Sequence, residues 1–276
     1  MSVEAELMTK TPETFSTAQL LIKDFDGTVA LSFEESPGGI GVHEAHELTV
    51  DEIFGTATLE YYRRSGGLRN RAPLELVQDL APDAHGKDLE ALTDHFNNTK
   101  LDIIMSEIGT RFPDGAMWPR PTRGYLELRE RLEEARINGL QIDDFILSSG
   151  HEPFIAKTYS AWGVSQPTHI IAGEAIAQLA LGLPPAQLVK PSPILMDVAH
   201  TTWRQDYGLR ATANPADDRE RMIYIGDDAV KDGHMARDSG VDFMLLDPAN
   251  SLETWQEAAR RLGIGKVMLR GIEQDA

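Results

Sequence analysis

The run Leu20-Leu21-Ile22-Lys23-Asp24-Phe25-Asp26-Gly27-Thr28 decides how this chain is read. Its apolar start predicts a short buried strand. Two carboxylates one residue apart follow, and Gly27 with Thr28 then forces a turn. Ligands of open α/β sheets bind just past the carboxyl ends of the strands. Asp24 and Asp26 are therefore expected at that rim, where paired acids hold a cation or divide nucleophile and acid roles. Lys23 does not suit a strand buried on both faces, and the sequence offers no explanation for it. Asp24, Asp26, Thr28 and Glu35 also fall at positions one, three, five and twelve of an EF-hand. Val29 stands where that loop needs glycine, and a strand rather than a helix comes before it, so a calcium loop is set aside.

Downstream, Ser32 to Gly41 carries Pro37, Gly38, Gly39 and Gly41 and reads as a hinge into a different unit. Gly39-Ile40-Gly41 lacks the third glycine of a dinucleotide fingerprint, and His43-Glu44-Ala45-His46-Glu47 has the wrong histidine spacing for a zinc-protease helix. From Leu48 to about Ile108 the pattern predicts helices without a strand. Thr49 is expected to cap a helix through Phe54, Leu59 and Tyr62, with Arg63 and Arg64 in its last turn and Gly66 beyond. Pro73 suits the first turn of the next helix, Leu74 to Leu80, and another spans Leu89 to Ile108. Pro113, Gly115, Pro119 and Pro121 mark a second crossing.

Helices and strands then alternate, as in a parallel sheet with crossover helices. Tyr125 to Asn138 reads as a helix, and Phe145-Ile146-Leu147 as a strand delivering Ser148-Ser149-Gly150. A helix from Pro153 to Trp162, a strand from His169 to Ala172 and a helix through Trp203 follow. Residues 204–220 read as a polar loop without an evident role. Met222 to Ile225 is the next strand and ends in Gly226-Asp227-Asp228. A helix up to Ser239, a strand from Val241 to Leu246 and a helix capped by Ser251 complete the series. The expected architecture is α/β: a Rossmann-like three-layer parallel sheet core, residues 18–31 and 119–276, with an inserted mostly helical cap, residues 32–118.

Composition narrows the function. With 26 basic and 44 acidic residues the formal charge is −18, which repels phosphate backbones and argues against nucleic-acid partners. A phosphorylated substrate would need cations gathered locally. The absence of cysteine excludes disulfides, thiolate metal sites and cysteine nucleophiles. The first nineteen residues lack the apolar core of a signal peptide, and no apolar run approaches membrane-spanning length. The expectation is a soluble cytoplasmic protein without a membrane partner; its oligomeric state is not legible.

Three predicted strand ends carry chemistry, and a lysine lies between the last two. In this order they resemble the haloacid dehalogenase (HAD) superfamily. Asp24-Phe25-Asp26-Gly27-Thr28 matches its first motif, DxDGT. Ser148 resembles the second, Lys190 before Pro191-Ser192-Pro193 the third, and Gly226-Asp227-Asp228 through Asp232 the fourth. The resemblance spans residues 20 to 248 and implies a magnesium-dependent phosphatase acting on a small phosphorylated metabolite. It places Mg2+ on Asp24, on the backbone carbonyl of Asp26 and on Asp227. Asp24 would attack phosphorus to give an aspartyl-phosphate, and Asp26 would act as acid and then base. Family dehalogenases lack the second acid and phosphonate hydrolases replace it, so its retention points to phosphoryl transfer.

The resemblance further implies that Ser148 bonds a phosphoryl oxygen, with Ser149 its competitor, and that Gly27 and Thr28 lie beside the substrate. Lys190 would neutralise Asp24 and phosphate. Asp228 and Asp232 would sit behind the direct ligands, Asp232 orienting Lys190 or a metal-bound water. Arg69 and Arg71, on a turn between two cap helices, are expected to give one contact to a second anion on the substrate. A phosphomutase using the same aspartyl-phosphate, and a silent binding protein, are the alternative readings.

Overall fold

The run around Asp24 opens as predicted: Gln19–Lys23 is strand β1, at the centre of a five-stranded, all-parallel sheet. The computed structural model describes residues 19–67, 73–173, 176, 183, 188–206 and 218–264. Besides β1, the sheet contains β2 (Ile142–Leu147), β3 (His169–Ile171), β4 (Met222–Gly226) and β5 (Asp242–Leu245), in the order β3-β2-β1-β4-β5. This is a Rossmann-like arrangement, and strand order reverses between β1 and β4, where such sheets open a crevice.

Side chains alternate across the sheet as the period of two requires. Leu21 and Phe25 join Ile142 and Ile146 on one face, packed beneath α5 (Tyr125–Ile137), α6 (Glu152–Trp162) and α9 (Ser251–Leu262). Leu20 and Ile22 join Phe145, Leu147 and Tyr224 on the other, against α7 (Ile194–Asp206) and α8 (Lys231–Asp238). These are the three layers of an α/β fold.

Among the described residues, four helices lie between β1 and α5: α1 (Val42–Phe54), α2 (Thr56–Arg64), α3 (Pro73–Leu80) and α4 (Gly86–Glu107). They share an apolar cluster of Val50, Leu59, Tyr62, Leu76, Val77, Leu80, Leu89 and Phe96. The ends of α1 and α4 nearest the sheet, at Ala45 and Ile104, join the core that holds Phe25, Trp118 and Phe154. The two chain crossings are tied to one another. Ser36 Oγ donates to Glu107 at 2.5 Å, the Trp118 indole to the Glu34 carbonyl at 2.7 Å, and the Leu31 amide to the Arg120 carbonyl at 2.8 Å.

Several boundaries differ from the sequence reading. The helix expected from Thr49 starts at Val42 and is broken at Gly55, whose φ of 82° interrupts the α conformation and separates α1 from α2. Thr49 lies inside α1, its hydroxyl donating back to the Ala45 carbonyl at 2.7 Å. Strand β2 begins at Ile142, three residues before the predicted start, because Asp143 and Asp144 are buried strand residues rather than loop. Ser251 is the first residue of α9, and its hydroxyl donates to the Arg123 carbonyl instead of capping the helix. Residues 207–217, most of the polar loop, lie outside the described residues. Among the described residues, no helix is long and apolar enough to cross a membrane.

Candidate active site

Strand β1 delivers Asp24 and β4 delivers Asp227, and the strands are neighbours, so the two acids emerge side by side at the crevice. The Asp24 amide continues the ladder by donating to the Ile225 carbonyl at 2.9 Å. Lys190, whose side chain is 6% exposed, bridges two acids: its Nζ lies 2.6 Å from Asp24 and 2.9 Å from Asp232. Asp232 is held in turn by the Tyr224 hydroxyl at 2.7 Å and the Asp228 amide at 3.2 Å. The lysine is thereby fixed by the first turn of α8 and the body of β4.

Asp26 accepts a hydrogen bond from the Ser32 hydroxyl. Gly150 lies between Asp26 and Ser148: a Cβ there would stand 3.3 Å from Asp26 Oδ2 and 3.2 Å from Ser148 Oγ. The buried Ser148 hydroxyl accepts from the Gly150 amide at 2.9 Å, leaving its own proton to donate. Ser149 is exposed. Thr28 donates to Asp227 at 3.2 Å, and Gly27, at φ 77°, lies so close to the Asp227 carboxylate that a Cβ would displace it. Gly27 and Thr28 thus pack on Asp227. Asp228 accepts from the Val230 and Lys231 amides at 2.8 and 2.9 Å, closing the turn that starts α8.

The charges follow from these contacts. Burial pushes the Asp24 carboxyl up to about 7, against the pull of Lys190. Burial also raises Asp26, opposed by the Ser32 hydrogen bond, and raises Asp227, where Asp232 adds repulsion. Burial disfavours charge on Lys190, but Asp24 and Asp232 outweigh it and raise its pKa. Asp228 is held low by the two amides despite partial burial.

Asp24, Asp227 and Asp232 each offer a carboxylate oxygen, all within 4.8 Å of one another. An all-oxygen donor set of several carboxylates suits a hard divalent cation such as Mg2+. Both oxygens of Asp232 already have protein partners, whereas Asp24 and Asp227 converge from adjacent strand ends.

Arg69 and Arg71 lie outside the described residues. Arg63 pairs with Glu47 at 2.6 Å and Arg64 with Glu60 at 3.8 Å, both on the surface. His46 Nδ1 donates to the Val42 carbonyl at 2.8 Å and its ring packs near Phe96. Ser32 and Tyr224 escaped the sequence reading. Ser32 gives no local signal, but a tyrosine inside a buried strand needs a polar partner, which pointed to a nearby acid.

No family model matches the chain, and no curated protein matches it. Solved structures do. A predicted phosphoglycolate phosphatase from Haemophilus somnus aligns with 84% of this chain and 87% of its own, at 12% identity and a TM-score of 0.51. CbbY from Rhodobacter sphaeroides, solved with phosphate, covers 83% and 86% at 16% identity and a TM-score of 0.49. YfnB from Bacillus subtilis, solved with magnesium, covers 89% and 99% at 15% identity and a TM-score of 0.48. Dehalogenases are also among the matches. At such identities the likeness speaks for the fold. The chain shares the Rossmann-like α/β fold of the Haemophilus somnus phosphatase structure.

Proposed function

We propose that this protein is a magnesium-dependent phosphatase acting on a small phosphorylated metabolite. The observation that carries the reading is the pair of acids on one turn with different partners. Asp24 is bound to Lys190, and Asp26 is hydrogen-bonded to Ser32 beside Gly150 and Ser148. A hydrolase that needs only a nucleophile has no use for the second acid.

Asp24 and Asp227, with the backbone carbonyl of Asp26, would hold Mg2+. The ion would supply the positive charge that lets a carboxylate approach a phosphate dianion. Lys190 cancels the charge of Asp24 and presents a fixed cation to the phosphoryl oxygens. Ser148 donates its free proton to one of them. An Asp24 oxygen bonds to phosphorus as the ester oxygen leaves, and Asp26 gives that oxygen its proton. Burial raises the Asp26 pKa, which favours its acid form at this step. Water then attacks phosphorus, gives a proton to Asp26, and frees Asp24 and inorganic phosphate. Asp232 and Tyr224 hold Lys190 in place, and Asp228 shapes the turn.

Helices α1–α4 act in this reading as a cap that covers the rim and keeps water from the acyl-phosphate. Arg69 or Arg71 would add the contact to a second anion.

The test is phosphate release from a panel of phosphorylated metabolites and from p-nitrophenyl phosphate, with Mg2+ and with a strong chelator. Release that requires Mg2+ is expected. Full activity in chelator, with metal absence verified by elemental analysis, contradicts the metal role. An isomerised sugar phosphate without free phosphate would mark a mutase.

A further inference from the structure

Lys23, which the strand pattern could not explain, lies at the centre of a second charged cluster that the chemistry above does not use. Its side chain is fully buried, and Nζ contacts Asp144 Oδ2 at 2.6 Å. Asp144 is fully buried as well and receives two more cations: Arg129 bonds the same oxygen and Arg136 the other. Thr168 joins through its hydroxyl, 3.2 Å from the Asp144 amide and 3.3 Å from Oδ1. Arg129 goes on to the Ser165 and Gln166 carbonyls, both at 3.0 Å, and Arg136 to the Ile142 carbonyl at 2.8 Å. One carboxylate thus ties β1, β2, α5 and the segment entering β3 together.

The placement of the pair matters. In the parallel ladder Leu21 stands opposite Asp144, and Lys23 opposite Ile146. Lys23 reaches back along the sheet to a partner two positions earlier on the neighbouring strand. Asp24 is the next residue after Lys23, and Ser148 follows Asp144 by four. The bond therefore joins the two strands that carry the acid and the hydroxyl, just behind the rim. Leu20-Leu21-Ile22 is apolar on both faces of the sheet, so its pattern alone does not oppose a slip of one residue, which moves an end by about 3.3 Å. A buried ion pair is on average no more stabilising than an apolar pair of the same volume, and its best-attested use is to select one register. An apolar residue at position 23 would satisfy the strand; a lysine satisfies the strand only in this alignment.

We propose that Lys23 and Asp144 are positioning residues, a buried charged pin that sets β1 against β2 and so holds Asp24 at its working distance from Ser148. This rests on the phosphatase reading for the roles of Asp24 and Ser148, while the alignment itself can be measured without turnover.

The experiment compares the full-length protein with Lys23→Met, Lys23→Gln and Ile22→Val by thermal melting, hydrogen exchange and steady-state hydrolysis of p-nitrophenyl phosphate with Mg2+. Ile22→Val trims the opposite face of the same strand and serves as the packing control. Lys23→Met is expected to melt cooperatively near the wild type. Peptides covering residues 19–28 and 142–150 should nevertheless exchange at least about tenfold faster than in Ile22→Val. Its kcat should fall about 10–100-fold with KM within about twofold, the size of effect that follows a displacement near 1 Å. Lys23→Gln keeps a donor for Asp144 and should recover much of both losses; it carries the test if Lys23→Met does not fold. Wild-type exchange and kcat in Lys23→Met would overturn the proposal. So would a kcat loss matched by Ile22→Val, since that would be packing alone. A wild type without phosphatase activity would overturn the functional reading, and exchange would still decide the pin.

Discussion

Asp24, just past the end of β1, is largely shielded from water and Asp144, inside neighbouring β2, is fully buried, and their surroundings drive them in opposite directions. Three cations converge on the single carboxylate of Asp144 and hold it well below the usual carboxylate range, although burial alone would raise it. At the rim the ratio is inverted. One lysine serves Asp24 and Asp232, with Asp26 and Asp227 close by, and burial lifts Asp24 to about 7. The Asp144 cluster also acts on its own lysine: burial lowers Lys23 to about 8, with repulsion from Arg129 and Arg136 adding to it against the pull of Asp144. The core cluster is closed by its own members. The rim is short of positive charge, the condition that favours an incoming cation there.

The largest effect expected concerns the acid that is short of charge. Asp24→Asn should lower turnover of phosphate esters by about 10⁴-fold or more, as loss of a nucleophile does. The same substitution should leave thermal stability unchanged or slightly raised, because it relieves a crowded carboxylate. Asp26→Asn should slow hydrolysis by roughly 10²–10⁴, the range for a general acid. That loss should shrink on p-nitrophenyl phosphate, whose leaving group needs little protonation. An undiminished loss on that substrate would separate Asp26 from proton transfer.

The core aspartate should behave in the reverse manner. Asp144→Asn removes the carboxylate shared by buried Lys23 and Arg129 and half-buried Arg136, and should cost about 3–5 kcal/mol of stability, measured by denaturant unfolding. If Asp144→Asn proved as stable as Asp24→Asn, the contrast between the clusters would be wrong. The pH dependence follows with its sign. The Asp144 pKa is depressed in the folded state, so its contribution is complete above the unfolded value near 4 and is lost as pH falls below it. The stability gap between wild type and Asp144→Asn should therefore be constant from about pH 5 to 7 and narrow in more acidic buffer.

The two clusters differ as much in how far the sequence announces them. The rim is written locally: each acid, Ser148 and the Gly226 turn directly follows an apolar strand, and topology alone gathers strand ends. Lys190 is legible only through the matching motifs, since nothing in its neighbours requires a buried lysine. Asp228 could be read either as a site group or as a helix-start acid, and it closes the turn into α8. The core cluster is non-local. Lys23 and Asp144 are 121 residues apart, and each looks misplaced until the other is known. For the same reason Asp143 and Asp144 disguised the start of β2: adjacent acids resemble a loop unless Trp203 and three cations are known to meet them. The break at Gly55 was missed because the flanking residues keep a helical period, so only the glycine's positive φ separates the helices.

The most direct test of the central claim is where the phosphoryl group resides during turnover. Wild-type protein turning over p-nitrophenyl phosphate with Mg2+ would be quenched in acid, digested and analysed by mass spectrometry, beside Asp24→Asn. The account predicts a phosphoryl group on the wild-type peptide carrying Asp24, absent from the variant, which should also release no phosphate above background. Undiminished phosphate release by Asp24→Asn would contradict it.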